Sequence, residues 1–300
     1  MSFVITTDSG ADLPMSLLRE HDIHPLIMEY EINGELFPDT MQWESLHEFY
    51  DKMRAGATPR TTQINIEKFK DFFRPFVQEG KPVVHISLGS GVSGTMHNGI
   101  LAAEELKEEF PDSEIHIVDS TLCSTGYGML ALKADEMRAA GKTAQECVDW
   151  LNAHKIEINT WYTTNELKYL HRSGRCSHAS AIIGTALRIC PILNLDAEGH
   201  LIVQERVRGL KSTLARIHKI IGETLDGSPT PASEQTLYIC HSDIPEEARA
   251  FGEALQAEFG FKDIYYTYIG SIIGSNCGPG LMAAFYFGKP RDMRDHNKEK

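Results

Sequence analysis

The segment Lys81 to Phe110, KPVVHISLGSGVSGTMHNGILAAEELKEEF, constrains this chain more than any other. Val83-Val84-His85-Ile86 is a short apolar run rich in β-branched residues and predicts a buried strand. From Gly89 to Thr95 the chain is small, polar and glycine-rich. From Met96 apolar residues recur at helical spacing (Ile100, Leu101, Leu106, Phe110) against Glu104, Glu105, Lys107 and Glu108. In a strand, glycine turn and helix in that order, the N–H groups at the helix start can hold an anion.

The residues alone leave three readings of this turn open. Gly89, Gly91 and Gly94 spell G-x-G-x-x-G between strand and helix, as a dinucleotide fingerprint requires. Asp119 would then be the ribose-binding acid of a Rossmann-type NAD(P)-dependent oxidoreductase. About 80 residues precede this turn, whereas that fingerprint usually opens its fold. Alternatively, the N–H groups and the hydroxyls of Ser93 and Thr95 hold a carboxylate or a phosphate. The third reading is a capped helix with no ligand. No G-x-S-x-G frame surrounds Ser93, which excludes a nucleophile elbow.

A net charge of −13 over 300 residues argues against nucleic acid or an anionic membrane as the main partner. The six cysteines are scattered with no C-x-x-C pair, the pattern of a reduced cytoplasmic protein. No signal peptide and no run of membrane-spanning length is expected. Asp8, Asp119 and Asp243 lack the spacing of a metal loop, and no metal or cofactor is expected.

Along the chain, Asn33-Gly34 predicts a hairpin and Asn65 caps a helix that Pro75 should kink or end. Thr143 caps a later helix. Strands and helices alternate to about residue 158, predicting a parallel, Rossmann-like α/β domain over 1–158. An α+β domain with a mainly antiparallel sheet is expected over 159–290, and 291–300 as a solvated tail. A hairpin is expected around Asp196-Ala197-Glu198-Gly199, and a small apolar helix after the loop Gly270–Gly280.

Six short motifs, in order, resemble those of the DegV family, whose characterised members are fatty-acid-binding proteins, among them carriers for bacterial fatty acid kinase. They are Thr7-Asp8-Ser9-Gly10-Ala11-Asp12-Leu13, Thr61-Thr62-Gln63, Ser93-Gly94-Thr95, Val118-Asp119-Ser120, Ser173-Gly174-Arg175 and Gly278-Pro279-Gly280. Asn276 lies in the loop where the family usually carries a histidine, and Ile64-Asn65 replace a proline and a serine. The resemblance implies two domains, with an acyl chain in a tunnel between or within them. It implies a long-chain fatty acid as ligand, its carboxylate near Thr61, Thr62, Ser93, Gly94, Thr95 and Asn276. It also implies a separate fatty acid kinase as partner, so that this chain presents substrate and is not itself the enzyme. Arg172 and Arg175, a basic turn in an acidic chain, are the expected kinase docking point.

Overall fold

The computed structural model describes residues 2–176 and 189–291. Its contacts divide the chain into two compact units. The first comprises Met1–Lys155 with Gly270–Ser275, and the second Ile156–Ile269 with Asn276–Lys300.

The first unit is built on a four-stranded parallel sheet. Its strands are β1 (Val4–Asp8), β2 (Ile23–Leu26), β6 (Val83–Ser87) and β7 (Ile115–Asp119), in the order β2-β1-β6-β7. Every residue of β1 and β6 is buried, which explains why Val4-Ile5 and Val83-Val84 show no polar alternation. Helices α3 (Ile66–Gln78) and α4 (Thr95–Glu109) pack together, and Phe69, Phe73, Ala102 and Leu106 join Val4 and Val83 in one apolar cluster. Helices α5 (Thr125–Ala139) and α6 (Ala144–His154) pack against β1, β6 and β7. Thr143 closes a capping box with Glu146, and Asn65 accepts the Lys68 N–H at 2.8 Å, as their positions predict.

Pro75 does not end α3, which continues to Gln78. Phe69, Phe73 and Val77 bury one continuous face on either side of the proline, and that burial outweighs one missing hydrogen bond. The Asn33-Gly34 turn has φ of 55° and 85° and joins β3 (Glu29–Ile32) to β4 (Glu35–Pro38). With β5 (Arg60–Thr61) these form a small antiparallel sheet; helix α1 (Met15–Glu20) precedes β2, and α2 (Trp43–Arg54) lies between β4 and β5.

The second unit carries a six-stranded mixed sheet in the order β10-β9-β8-β13-β11-β12. Its strands are β8 (Ile158–Thr164), β9 (Ile189–Leu195), β10 (Leu201–Arg208), β11 (Thr236–His241), β12 (Asp263–Tyr268) and β13 (Leu281–Phe287). Only β11 and β12 are parallel. Trp161, Ile192, Ile239 and Ala284 form its core with Ile217 and Ile221 of α8 (Leu210–Leu225) and Phe251 and Leu255 of α9 (Pro245–Phe259).

The expected small helix after Gly280 is instead β13, a central strand. LMAAFYF is buried along nearly its whole length, and a short continuous apolar run has no period that separates strand from helix. The helix of this region, α10 (Ser271–Cys277), lies inside the glycine-rich loop. Arg291 is buried, its guanidinium on the Asp196 carbonyl at 2.7 Å, and residues 292–300 lie outside the described residues.

Candidate functional site

The glycine-rich turn begins where β6 ends. Gly89 donates its N–H to the Leu122 carbonyl at 2.8 Å, and a Cβ there would stand 2.7 Å from the Leu122 nitrogen, so only glycine fits. Val92 and Ser93 both donate to the Gly89 carbonyl. Ser93 Oγ accepts the Thr95 N–H at 3.2 Å and donates to Thr95 Oγ1 at 3.1 Å. Next to these hydroxyls, the N–H groups of Gly94 and Met96 donate to no group among the described residues. The first turn of α4, a 15-residue helix, thus presents open donors and its positive dipole end beside Ser93 and Thr95.

The loop after β5 lies against this turn. A Cβ on Gly94 would meet the Gln63 amide nitrogen at 2.8 Å, and Asn98 Nδ2 donates to the Ile64 carbonyl at 2.8 Å. The structure therefore brings Thr61-Thr62-Gln63 and Ser93-Gly94-Thr95 together within the first unit. The Thr62 hydroxyl donates to the Glu29 carbonyl at 3.3 Å and its N–H to the same oxygen at 3.2 Å, a strand-edge tie. Gln63 was not singled out from the sequence, although its place in the Thr-Thr-Gln motif was the available signal.

Asp119 does not stand free for a ribose. Its carboxylate accepts the Ser90 hydroxyl at 2.6 Å, the Ser90 N–H at 3.1 Å and the Thr121 N–H at 3.0 Å. This acid organises the turn, and the dinucleotide reading loses its second half.

Three aspartates are buried near the ends of β1 and β4. Asp8 accepts the N–H groups of Leu88 at 3.1 Å and Gly10 at 3.2 Å, and the Tyr127 hydroxyl. Burial pushes its carboxyl up to about 6 despite those donors. Asp12 accepts the Ser124 hydroxyl and the Gly270 N–H, and burial holds it well above the usual range. Asp39 is raised for the same reason. Its position gave no signal in the sequence.

In the second unit, α7 (Leu167–Ser173) carries the basic turn. The Arg172 guanidinium lies over the Tyr169 ring at 5.3 Å, and Arg175 Nη1 donates to the Ser173 carbonyl at 2.7 Å. Gly278 has φ 74°, and a Cβ there would fall 2.1 Å from the Tyr169 ring, so packing requires glycine at the first position of the Gly-Pro-Gly motif. Asn276 is half-buried, near the end of α10.

The whole described chain matches one family. A family model described as "Uncharacterised protein, DegV family" covers residues 2–289. The chain belongs to the DegV family. A DegV domain-containing protein of Clostridium perfringens is 34% identical over 291 residues, covering 97% of this chain and 99% of its own. Among solved structures, a DegV family protein from Thermus thermophilus, described for its fatty acid binding, superposes with a TM-score of 0.85 at 26% identity, covering 96% of this chain and 100% of that one. A fatty acid binding DegV family protein from Streptococcus agalactiae gives 0.83 at 27% identity, covering 96% and 99%. The two-domain α/β fold expected from the resemblance is the one these DegV neighbours share. Among the described residues, no helix is long and apolar enough to cross a membrane.

Proposed function

We propose that this DegV protein binds a long-chain fatty acid and presents its carboxylate to a separate fatty acid kinase, as a cytoplasmic carrier rather than a catalyst. The observation that carries the reading is the α4 start, where the N–H groups of Gly94 and Met96 have no partner among the described residues beside the Ser93 and Thr95 hydroxyls, which bond to each other. These groups offer short, charge-assisted hydrogen bonds to an anion and bring no counter-charge of their own. A carboxylate fits better than a nucleotide pyrophosphate, because Asp119 is engaged by Ser90. Thr61, Thr62 and Gln63 are assigned to the rim of the same site. The relatives described as fatty acid binding support the acyl chain. Burying ~15 methylenes contributes on the order of 12 kcal/mol gross, before the entropy of binding is deducted.

The test is denaturing extraction of the purified protein followed by mass spectrometry, with uptake of added fatty acid by the stripped protein. A stoichiometric acyl chain is expected. Neither a released chain nor any uptake would overturn the reading.

A further inference from the structure

Asp8, Asp12 and Asp39 are buried together, and among the described residues no basic side chain contributes to the electrostatics of any of them. Two of the three reach one short segment. Asp12 Oδ1 accepts the Gly270 N–H at 2.8 Å, and Asp39 Oδ1 accepts the Ser271 hydroxyl at 3.0 Å. By its contacts, Gly270–Ser275 belongs to the first unit, although β12 and β13 on either side in sequence belong to the second. Ile272 joins the apolar cluster of Val4, Leu26, Met28 and Ile64, and Gly274 lies so close to Tyr50 that a Cβ would meet the phenol oxygen at 2.5 Å. The segment is seated by apolar packing and pinned by two acids.

The pin carries stored cost. Among the described residues, Asp39 Oδ2 is buried with no hydrogen-bond partner within 3.5 Å, although the Ser9 hydroxyl faces the carboxyl. The point where a Cβ on Gly270 would stand is 2.7 Å from Asp12 Oδ1 and 3.7 Å from Asp39 Oδ2, so both carboxyls flank the same stretch of backbone. Asp12 (φ 53°), Met41 (φ 53°) and Ser124 (φ 54°) hold left-handed backbone without being glycine. The Met41 N–H donates to Asp39 and the Ser124 hydroxyl to Asp12. Strained residues thus shape the nest of both acids.

We propose that Asp12 and Asp39 form a proton-operated latch on Gly270–Ser275, closed while the pair holds protons and loosened when both are ionised. Two carboxylates in a dry, cation-free site repel each other and lack solvation, and undocking the segment returns them to water. The groups that face them are Asp8 and Tyr127 toward Asp12, and Asp8, Tyr30, Ser9 and Ser271 toward Asp39. None can supply a positive charge. Because burial raises both acids in the closed form, that form binds protons more tightly than the open one. The latch is therefore fully favoured below the free carboxyl range, near 3.8, and weakens as pH rises through the closed-form values.

The test is amide hydrogen exchange of residues 270–275 in the full-length protein from pH 5 to 8. A synthetic peptide of the same six residues supplies the intrinsic rates. Protection in the wild type should fall at least tenfold more across this range than that of the β6 amides (Val83–Ser87), which follow global stability. The Asp12→Asn/Asp39→Asn variant, locked in the neutral form, should show protection independent of pH. Asp39→Asn alone keeps an acceptor for Ser271 and serves if the double variant fails to fold, with a pH dependence smaller than that of the wild type. Constant wild-type protection over the range, or an equal fall in the Asn variants, overturns the proposal.

Discussion

The hydroxyl of Ser90 meets the Asp119 carboxylate at 2.6 Å while the backbone N–H of the same serine donates to the other carboxylate oxygen at 3.1 Å. One acid at the end of β7 therefore fixes the turn that follows β6, and its Thr121 bond fixes the next loop as well. Asp119→Ala removes three charge-assisted bonds at once. The expected loss of stability is about 2 kcal/mol or more, read from urea unfolding. A change under ~0.5 kcal/mol would mean that water replaces Asp119 without cost.

Ser93 separates a ligand site from a plain helix cap. If Ser93 donates to a bound carboxylate, Ser93→Ala should lower fatty acid affinity by about 1.5–3 kcal/mol. Without ligand it removes the acceptor for the Thr95 N–H and the donor to Thr95 Oγ1, a loss of about 1 kcal/mol. Calorimetric titration beside thermal unfolding distinguishes the two. Unchanged affinity with a lowered melting temperature would leave Ser93 as a cap alone.

Gly278 and Gly141 share nearly the same backbone, at φ 74° and 76°, but differ in surroundings. A Cβ on Gly141 meets nothing within 4 Å, whereas on Gly278 it meets the Tyr169 ring at 2.1 Å. Gly141→Ala should cost about 1 kcal/mol, the left-handed penalty alone. Gly278→Ala should cost well beyond ~2 kcal/mol, because a buried ring must also move. Equal losses in chemical denaturation would show that Tyr169 yields freely.

The parts of this fold legible in the sequence were those with a local cause. The Val83–Ile86 run, the Asn33-Gly34 turn and the Thr143 and Asn65 caps each act through neighbours a few residues away. What escaped depends on partners distant in sequence. LMAAFYF is a strand because β8 and β11 flank it, which no periodicity reveals. Pro75 sits inside a helix because the aromatic face of α3 is buried on a sheet. At the candidate site the glycine turn was evident, but the engagement of Asp119 by Ser90 and the approach of Gln63 to Gly94 span 29 and 31 positions. Nothing in the sequence marks Asp39, and its burial is what distinguishes it.

Asp8 supplies a pH test with a definite sign. Its folded-state carboxyl is raised from 3.8 to about 6 by burial. The stability it contributes is fully present below 3.8 and is lost as pH rises to about 6. For a fully buried group that loss is on the order of 3 kcal/mol. Carbon-detected NMR of the aspartate carboxyls should show one titration midpoint near 6, absent in Asp8→Ala. A midpoint for Asp8 near 4 would mean that Leu88, Gly10 and Tyr127 compensate its burial in full.

The basic turn tests whether binding and delivery are separate. Arg172 rests on the Tyr169 ring and Arg175 Nη1 donates to the Ser173 carbonyl. If they dock a kinase, Arg172→Glu/Arg175→Glu should leave fatty acid affinity within about threefold, under ~0.7 kcal/mol. Acyl-phosphate formation with the kinase should drop at least tenfold, and added salt should weaken the wild-type reaction in the same direction. Kinase turnover against carrier concentration, with lipid affinity measured on the same variant, gives both numbers. Collapse of lipid binding with intact turnover at saturating lipid would place the arginines at the ligand instead.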